Sequence, residues 1–266
     1  MTEGLHIAVC IKVVPRPEEV RVDPVTGNLE RAAARSEFNP PDLNCLEAAL
    51  RIKDRTGGRV SVISMGPPFV LSWLALTVQM GADHIYLLSD RRFAGADTLA
   101  TTYTLARGVD KIAPVDLILC GEESSDGATA QVPPGLAEWL GWPQITYARA
   151  LALEEGPILR ATREVGDGYQ IVETALPVVV SVKTAINEPR FPDFSLRVKE
   201  GNHITVWSAD DLAVDESLIG QAGSPTTVGG TRAAPPVARK REMVGSPREA
   251  ARLLADKIRK ILFAPG

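Results

Sequence analysis

Short apolar runs alternate with helical stretches along the first half of the chain, and this alternation restricts the fold more than any other feature. His6–Val14 (HIAVCIKVV), Arg59–Met65 (RVSVISM), Ile85–Leu88 and Val115–Cys120 are rich in β-branched residues and almost free of charge. Runs of this kind are buried on both faces, as parallel strands are. Helix signals lie between them. Asn39-Pro40 is a cap followed by proline at the first helical position, with Leu43, Leu46, Ala49 and Leu50 at helical spacing and a stop at Gly57-Gly58. Leu71–Met80 forms the next helix after the turn Gly66-Pro67-Pro68, and Ala96-Asp97-Thr98 opens a third that runs to about Ile112. The pattern predicts an α/β fold with a mostly parallel, doubly wound sheet.

After Trp142-Pro143 the pattern changes. Ala148–Glu154, Ile158–Glu164 and Tyr169–Ala175 read as a meander broken at Gly156-Pro157 and Gly166-Asp167-Gly168, and Val178–Val182 reads as one more buried strand. Arg21–Leu29 reads as a small hairpin turning at Gly27-Asn28. From Asn187 onward regular patterning fades into a proline- and glycine-rich connection with no core of its own. It ends in an amphipathic helix, Pro247–Phe263, capped by Ser246. The expected division is a nucleotide-binding domain over 1–186 and a loop, arm and terminal helix over 187–266. From pattern alone the helix either docks on a partner chain or packs back on its own domain.

A chain of 266 residues, 45% hydrophobic and 23% charged, has the composition of an ordinary globular protein. Its net charge of −4 creates no field that favours nucleic acid. The first residues lack the basic start and apolar core of a signal peptide, and no apolar run approaches the roughly 20 residues a membrane span needs. Cys10, Cys45 and Cys120 are odd in number, widely spaced and set among apolar residues, so they read as reduced core thiols of a cytoplasmic protein.

No P-loop, GxGxxG, GxSxG or HExxH motif is present, and no carboxylate pair stands out for acid–base work. The three histidines lack metal-ligand spacing, so no metal site and no catalytic residues are expected. Small or polar loops instead recur where strands end. They are Cys10–Lys12, Asn39 to Asp42, Met65-Gly66 and Gly95 to Thr98. The last is Gly121-Glu122 followed by Ser125-Asp126-Gly127-Ala128-Thr129-Ala130-Gln131-Val132. A strand, a small-residue loop and a helix start leave backbone N–H groups available to a phosphate. Five such loops at the carboxyl edge of one sheet predict a nucleotide at a topological switch point.

At this point the sequence resembles a known family. Val9-Cys-Ile-Lys12, Asp23-Pro-Val-Thr-Gly-Asn28, Phe38-Asn-Pro40, Met65-Gly-Pro-Pro68, Met80-Gly-Ala-Asp83, Gly95-Ala-Asp-Thr-Leu-Ala-Thr101 and Asp126-Gly-Ala-Thr-Ala-Gln131 carry the likeness, with Gly141-Trp-Pro-Gln144, Asn187-Glu-Pro-Arg190 and Leu218 to Pro225. Together they resemble the β (small) subunit of electron transfer flavoproteins over essentially the whole chain. The resemblance implies an adenine-nucleotide-α-hydrolase-like sheet domain in a heterodimer with an α subunit that carries FAD. It implies an electron carrier subunit more than a stand-alone enzyme, serving a dehydrogenase or NADH and a downstream acceptor. The β site holds FAD in bifurcating members and AMP in others, and Ala96, Asp97, Thr98 and Thr101 with 126–131 are similar to the FAD-holding branch. Glu122 and Ala128 depart from it, where that branch has a basic and an acidic residue. Glu164 is similar to an acid that pairs with an arginine of the mobile α-FAD domain; otherwise it is an exposed strand-end charge. Phe191, Phe194 and Leu196 lie in the 187–199 stretch, which is similar to the loop that docks a dehydrogenase. Their other reading is a satellite cluster tucked under the loop. A stand-alone nucleotide-binding regulator or hydrolase of the same sheet type is the alternative.

Overall fold

The computed structural model describes residues 4–16, 21–22, 29–30, 35–198, 201, 203–227, 229 and 245–263. Two compact units emerge, Met1–Thr231 and Arg232–Gly266. The first opens with β1 (His6–Cys10), β2 (Val13–Pro15), β3 (Arg21–Val22), β4 (Leu29–Glu30) and β5 (Ser36–Phe38). The alternating part follows as α1 (Pro40–Thr56), β6 (Arg59–Met65), α2 (Leu71–Met80), β7 (His84–Leu88), α3 (Thr98–Ile112), β8 (Leu117–Gly121) and α4 (Val132–Leu140). The meander is β9 (Gln144–Leu153), β10 (Ile158–Val165) and β11 (Gly168–Ala175), followed by β12 (Val178–Val182), β13 (Ile204–Trp207) and α5 (Ala209–Leu212).

The sheet order is β11-β10-β9-β12-β8-β1-β6-β7-β13. Every pairing from β9 through β13 is parallel, and β10 and β11 add antiparallel to one edge. The chain builds outward from β1 through β6 to β7, then returns to lay β8 on the other side of β1. That reversal makes the carboxyl ends of β1 and β8 the switch point, where a crevice opens between diverging connections.

Alternate residues of the central strands feed two apolar layers. Ile7 and Val9 face the cluster formed with Leu46, Leu50 and Leu74 of α1 and α2. Ala8 and Cys10 face the cluster formed with Leu105, Val109 and Leu136 of α3 and α4. The central strands β1, β8 and β12 are buried throughout. All three thiols are buried and unbridged.

The structure corrects two readings. The first strand does not run to Val14: it ends at Cys10, and Val13–Pro15 pairs instead with Ser36–Phe38. The cause is local. The N–H of Lys12 donates to the Asp42 carboxylate at 2.7 Å, so the chain leaves the ladder there. The segment after Asn187, with no core of its own, regains regular structure by lying on the first unit's sheet, so the division at 186 does not hold there. Ile204–Trp207 adds a parallel edge strand beside β7, and Ala209 and Leu212 of α5 are buried in the second cluster. The hairpin is present as the antiparallel pair β3–β4, but its turn lies outside the described residues. So do 232–244 of the expected arm.

In the second unit, α6 (Pro247–Leu262) is capped as its sequence predicts, the Glu249 N–H donating to the Ser246 hydroxyl. It displays Leu253, Leu254, Ile258 and Leu262 as an exposed apolar stripe. Among the described residues no helix is long and apolar enough to cross a membrane.

Gly108 allows α3 to lie close on the sheet. A Cβ there would sit 2.7 Å from Ile63 Cδ1 and 3.0 Å from Leu88 Cδ1. Gly108→Val should therefore cost about 1–3 kcal/mol by overpacking, read in urea titrations as a lower midpoint with an unchanged slope.

Candidate functional site

The switch point is organised by Asp42, which is buried in the first turn of α1. One carboxylate oxygen accepts from Lys12 N–H, and the other accepts from the Asn39 side-chain amide at 2.9 Å. Gly121, at the end of β8, passes so close that a Cβ would strike the carboxylate and the Pro41 ring. Burial pushes the Asp42 carboxyl up to about 7, against the opposing pull of the N–H groups of Lys12, Asn39 and Gly121.

Asn39 carries the arrangement into the loop after β8. It donates to the Glu123 carbonyl at 2.9 Å and accepts from the Ser125 N–H at 3.1 Å. Lys12 Nζ pairs with Asp126 at 2.6 Å, and the N–H groups of Gly127 and Ala128 turn back to the Ser124 carbonyl. Beyond that turn the backbone takes left-handed φ at Ala128 (46°) and Ala130 (53°). Alanine gains nothing from that conformation, and each instance costs about 1–2 kcal/mol.

The result is a run of donors. Among the described residues, the N–H groups of Thr129, Ala130, Gln131 and Val132 have no acceptor within the protein. The next two residues are Pro133 and Pro134, so α4 starts with no further N–H to satisfy until Gly135. Gln131 offers no side-chain cap, since its carbonyl group accepts from the Thr98 hydroxyl at 2.7 Å. Successive backbone N–H groups at a helix N-terminus suit an anion. The donor set therefore fits a phosphate group.

Met65 and Gly66, at the carboxyl end of β6, line a cavity of about 680 Å³ with Pro67, Leu88, Ser89 and Phe93. Its size and largely apolar wall suit a ring system. A second cavity of about 480 Å³ lies between α1 and β9, lined by Arg51, Arg55 and Arg149, away from the strand ends. The first opens at the carboxyl end of β6, the strand beside β1, and the second lies away from the strand ends.

The expected residues thus divide by what they touch. Met65 and Gly66 line the cavity, and 127–132 form the donor loop. Asn39 and Asp42 are turned inward to hold that loop. Cys10 points into the α3–α4 layer with Cys120, away from the edge. Asp97 caps α3 by accepting from Leu99 and Ala100 N–H, and its other oxygen accepts from Thr226. Ala96 and Thr101 are half-buried beside it. Glu122 is not an isolated anion at the loop: Lys183 Nζ lies 3.2 Å from it and also 3.2 Å from Glu164, which meets Arg149 at 3.4 Å. Burial lowers the Lys183 pKa, but the two carboxylates outweigh it and hold the ammonium charged.

Residues 187–198 form a loop held by contacts to α1 and α2. Asn44 and Asn187 exchange amide hydrogen bonds, Arg190 pairs with Glu47 at 2.8 Å, and Asp193 N–H donates to the Gln79 carbonyl. The loop is tied down at each end, yet Phe191 is 92% exposed, Phe194 75% and Leu196 47%. The tucked-under reading of these side chains is therefore wrong. Lys199 lies outside the described residues.

Sequence reasoning missed Lys183, which reaches Glu122 from the end of β12, and Tyr147 of β9, whose ring lies under the Lys183 ammonium, because these strands are distant in sequence from β8. Lys12, named only as part of a loop, proves to brace Asp126.

A raised carboxyl is bound by its proton more tightly in the folded state. Asp42 therefore contributes stability fully below the ordinary carboxylate range, and that contribution is lost as pH rises through about 7. Unfolding free energy should fall by about 1 kcal/mol per pH unit between pH 5 and 7 from this group alone, and Asp42→Asn should flatten that slope. Urea titrations of the purified protein across that range check it; identical slopes would contradict the assignment.

Comparison with known proteins bears on this geometry. The model of the electron transfer flavoprotein domain matches residues 26–212. The chain is 42% identical to an electron transfer flavoprotein subunit beta of Thermoanaerobacterium thermosaccharolyticum, over 96% of its own length and 98% of the relative's. It is 41% identical, over 84% and 86% of the two chains, to the caffeyl-CoA reductase-Etf complex subunit CarD of Acetobacterium woodii. It is 39% identical to the protein FixA of Azotobacter vinelandii, over 91% and 89%. The chain belongs to the electron transfer flavoprotein family and is a member of its beta-subunit branch.

Proposed function

We propose that this β subunit binds an adenine nucleotide across the β1–β8 switch point, and that the nucleotide is FAD. The observation that carries the reading is the run of four backbone donors at 129–132, and a cavity of suitable size at Met65, at the carboxyl end of the strand next to β1, supports it. In this reading the phosphates rest on the 129–132 N–H groups. Asn39 and Lys12 keep the loop in the shape that aims those groups outward. Lys183 neutralises Glu122, which would otherwise repel the phosphates. FAD, when bound, supplies one- and two-electron redox chemistry that no side chain has.

We further propose that the chain pairs with an α subunit carrying a second FAD, and that α6 and the preceding arm contribute to that contact. Support comes from the exposed apolar stripe of α6 and from the relatives named as subunits of complexes. A complex with two flavins is the arrangement that electron bifurcation requires, and bifurcation is the finer form of this reading. Electrons pass between a dehydrogenase or NADH and a downstream acceptor. The rigid loop 187–198 is the dehydrogenase-docking surface, with Phe194 as its anchor, and Glu164 is the acid that meets the α subunit's mobile domain. Three buried, unbridged thiols support a reducing cytoplasmic setting.

Two outcomes follow. Ala128→Glu places a carboxylate at the phosphate loop and should empty the β site while the chain still folds, as read by nucleotide released from the purified complex. Unchanged nucleotide content would remove this loop from the site. Phe194→Ala should weaken dehydrogenase binding by about 1–3 kcal/mol and leave flavin content and subunit pairing intact. Titration calorimetry against the dehydrogenase distinguishes this from unaltered binding or a lost α subunit, either of which would exclude the loop.

A further inference from the structure

Tyr147 lies in β9, where the register against β12 shifts between Val180 and Val182, and its φ is 59°. A bulky aromatic residue in the left-handed region is an outlier that the surroundings must enforce. Here the Tyr147 N–H donates to the Ser181 hydroxyl at 2.9 Å. Bulges of this kind re-aim a side chain, and they concentrate beside functional sites. The residue remains 36% exposed, with Lys183 Nζ 5.6 Å from the ring centroid. Lys183 is the same ammonium that meets Glu122, the first residue after β8.

Sheet order locates this pair. Val182 is opposite Gly121, and β9 is the next strand beyond β12. Tyr147 is therefore two strand spacings, about 10 Å, from the end of β8. Met65 is two spacings from β8 in the other direction, through β1. A nucleotide with phosphates on 129–132 and its adenosine in the Met65 cavity directs its remaining end toward Tyr147. A mononucleotide stops at the phosphates, whereas a dinucleotide continues along the edge.

We propose that Tyr147, backed by Lys183, is the stacking platform for the second ring system of a flavin dinucleotide, and so sets the preference of the β site for FAD over AMP. The proposal rests on the nucleotide reading above. The strained backbone sets the ring at the bulge, and the ammonium beside it is held in place by Glu122 and Glu164.

Glycine adopts φ near 59° without cost, so Tyr147→Gly removes the ring and relieves the strain. The wild type, Tyr147→Gly and Tyr147→Phe are each purified as the complex with the α subunit. FAD and AMP released on denaturation are counted, and competition of AMP against FAD is titrated. The expected result is two FAD per complex for wild type and Tyr147→Phe. For Tyr147→Gly it is one FAD plus AMP, with FAD binding to the β site weakened about tenfold and AMP binding changed less than about twofold. Two tightly held FAD in Tyr147→Gly overturns the platform, as does equal loss of FAD and AMP or loss of the α subunit. A wild type with one FAD and one AMP overturns the platform and the choice of FAD for the β site, but leaves adenine-nucleotide binding at the switch point standing. A wild type with no adenine nucleotide in the β subunit defeats both.

Discussion

A single buried carboxylate holds the switch point together. Asp42 takes an N–H from the chain leaving β1 and an amide from Asn39, and Gly121 at the end of β8 packs directly over it. Removing the charge from water is costly, and burial raises its pKa accordingly. What offsets that cost is geometry: the same contacts end the first strand, start α1 and hand Asn39 to the loop after β8. Without them the sheet would still be a sheet, because its strands are buried by their own apolar side chains. The donor loop, however, would lose the contacts that fix its start.

The loop beyond Asn39 illustrates how strain and function share a site. Ala128 and Ala130 accept an unfavourable φ, and four successive N–H groups go without a protein acceptor. Neither feature helps folding. Both make sense for a surface prepared to meet an anion, since a preorganised set of donors pays little reorganisation when the ligand arrives. Pro133 and Pro134 add to this by starting α4 with residues that have no N–H to leave unsatisfied.

Much of this was legible in the sequence, for reasons that differ by element. Strands buried on both faces announce themselves as unbroken apolar runs, so β6 and β12 are recovered residue for residue. Asp97 marks α3 because its capping bonds are local, and α1 is marked by the proline at its first position after Asn39. β13 escaped because four residues on a sheet edge, ITVW, carry too little periodicity to stand out from a proline-rich stretch. Within the site, loop positions were legible but side-chain directions were not. Asn39 and Asp42 read as ligand contacts and prove to be braces. Lys183 meets Glu122 only because β12 lies beside β8, and Tyr147 meets Lys183 only because β9 is the next strand, facts of topology that no local pattern carries. Two prolines excluded regular structure around Phe191 and Phe194, but whether they stay exposed or tuck under the loop was open in the sequence, and the structure leaves both exposed.

Amide hydrogen exchange on the complex with its α subunit, compared with and without bound nucleotide, tests the central claim most directly. The account predicts that nucleotide slows exchange at 129–132, with smaller changes at the Asn39–Asp42 turn that braces the loop, and leaves the 48–55 and 149–151 walls of the other cavity unchanged. Protection at those walls with none at 129–132 would contradict it.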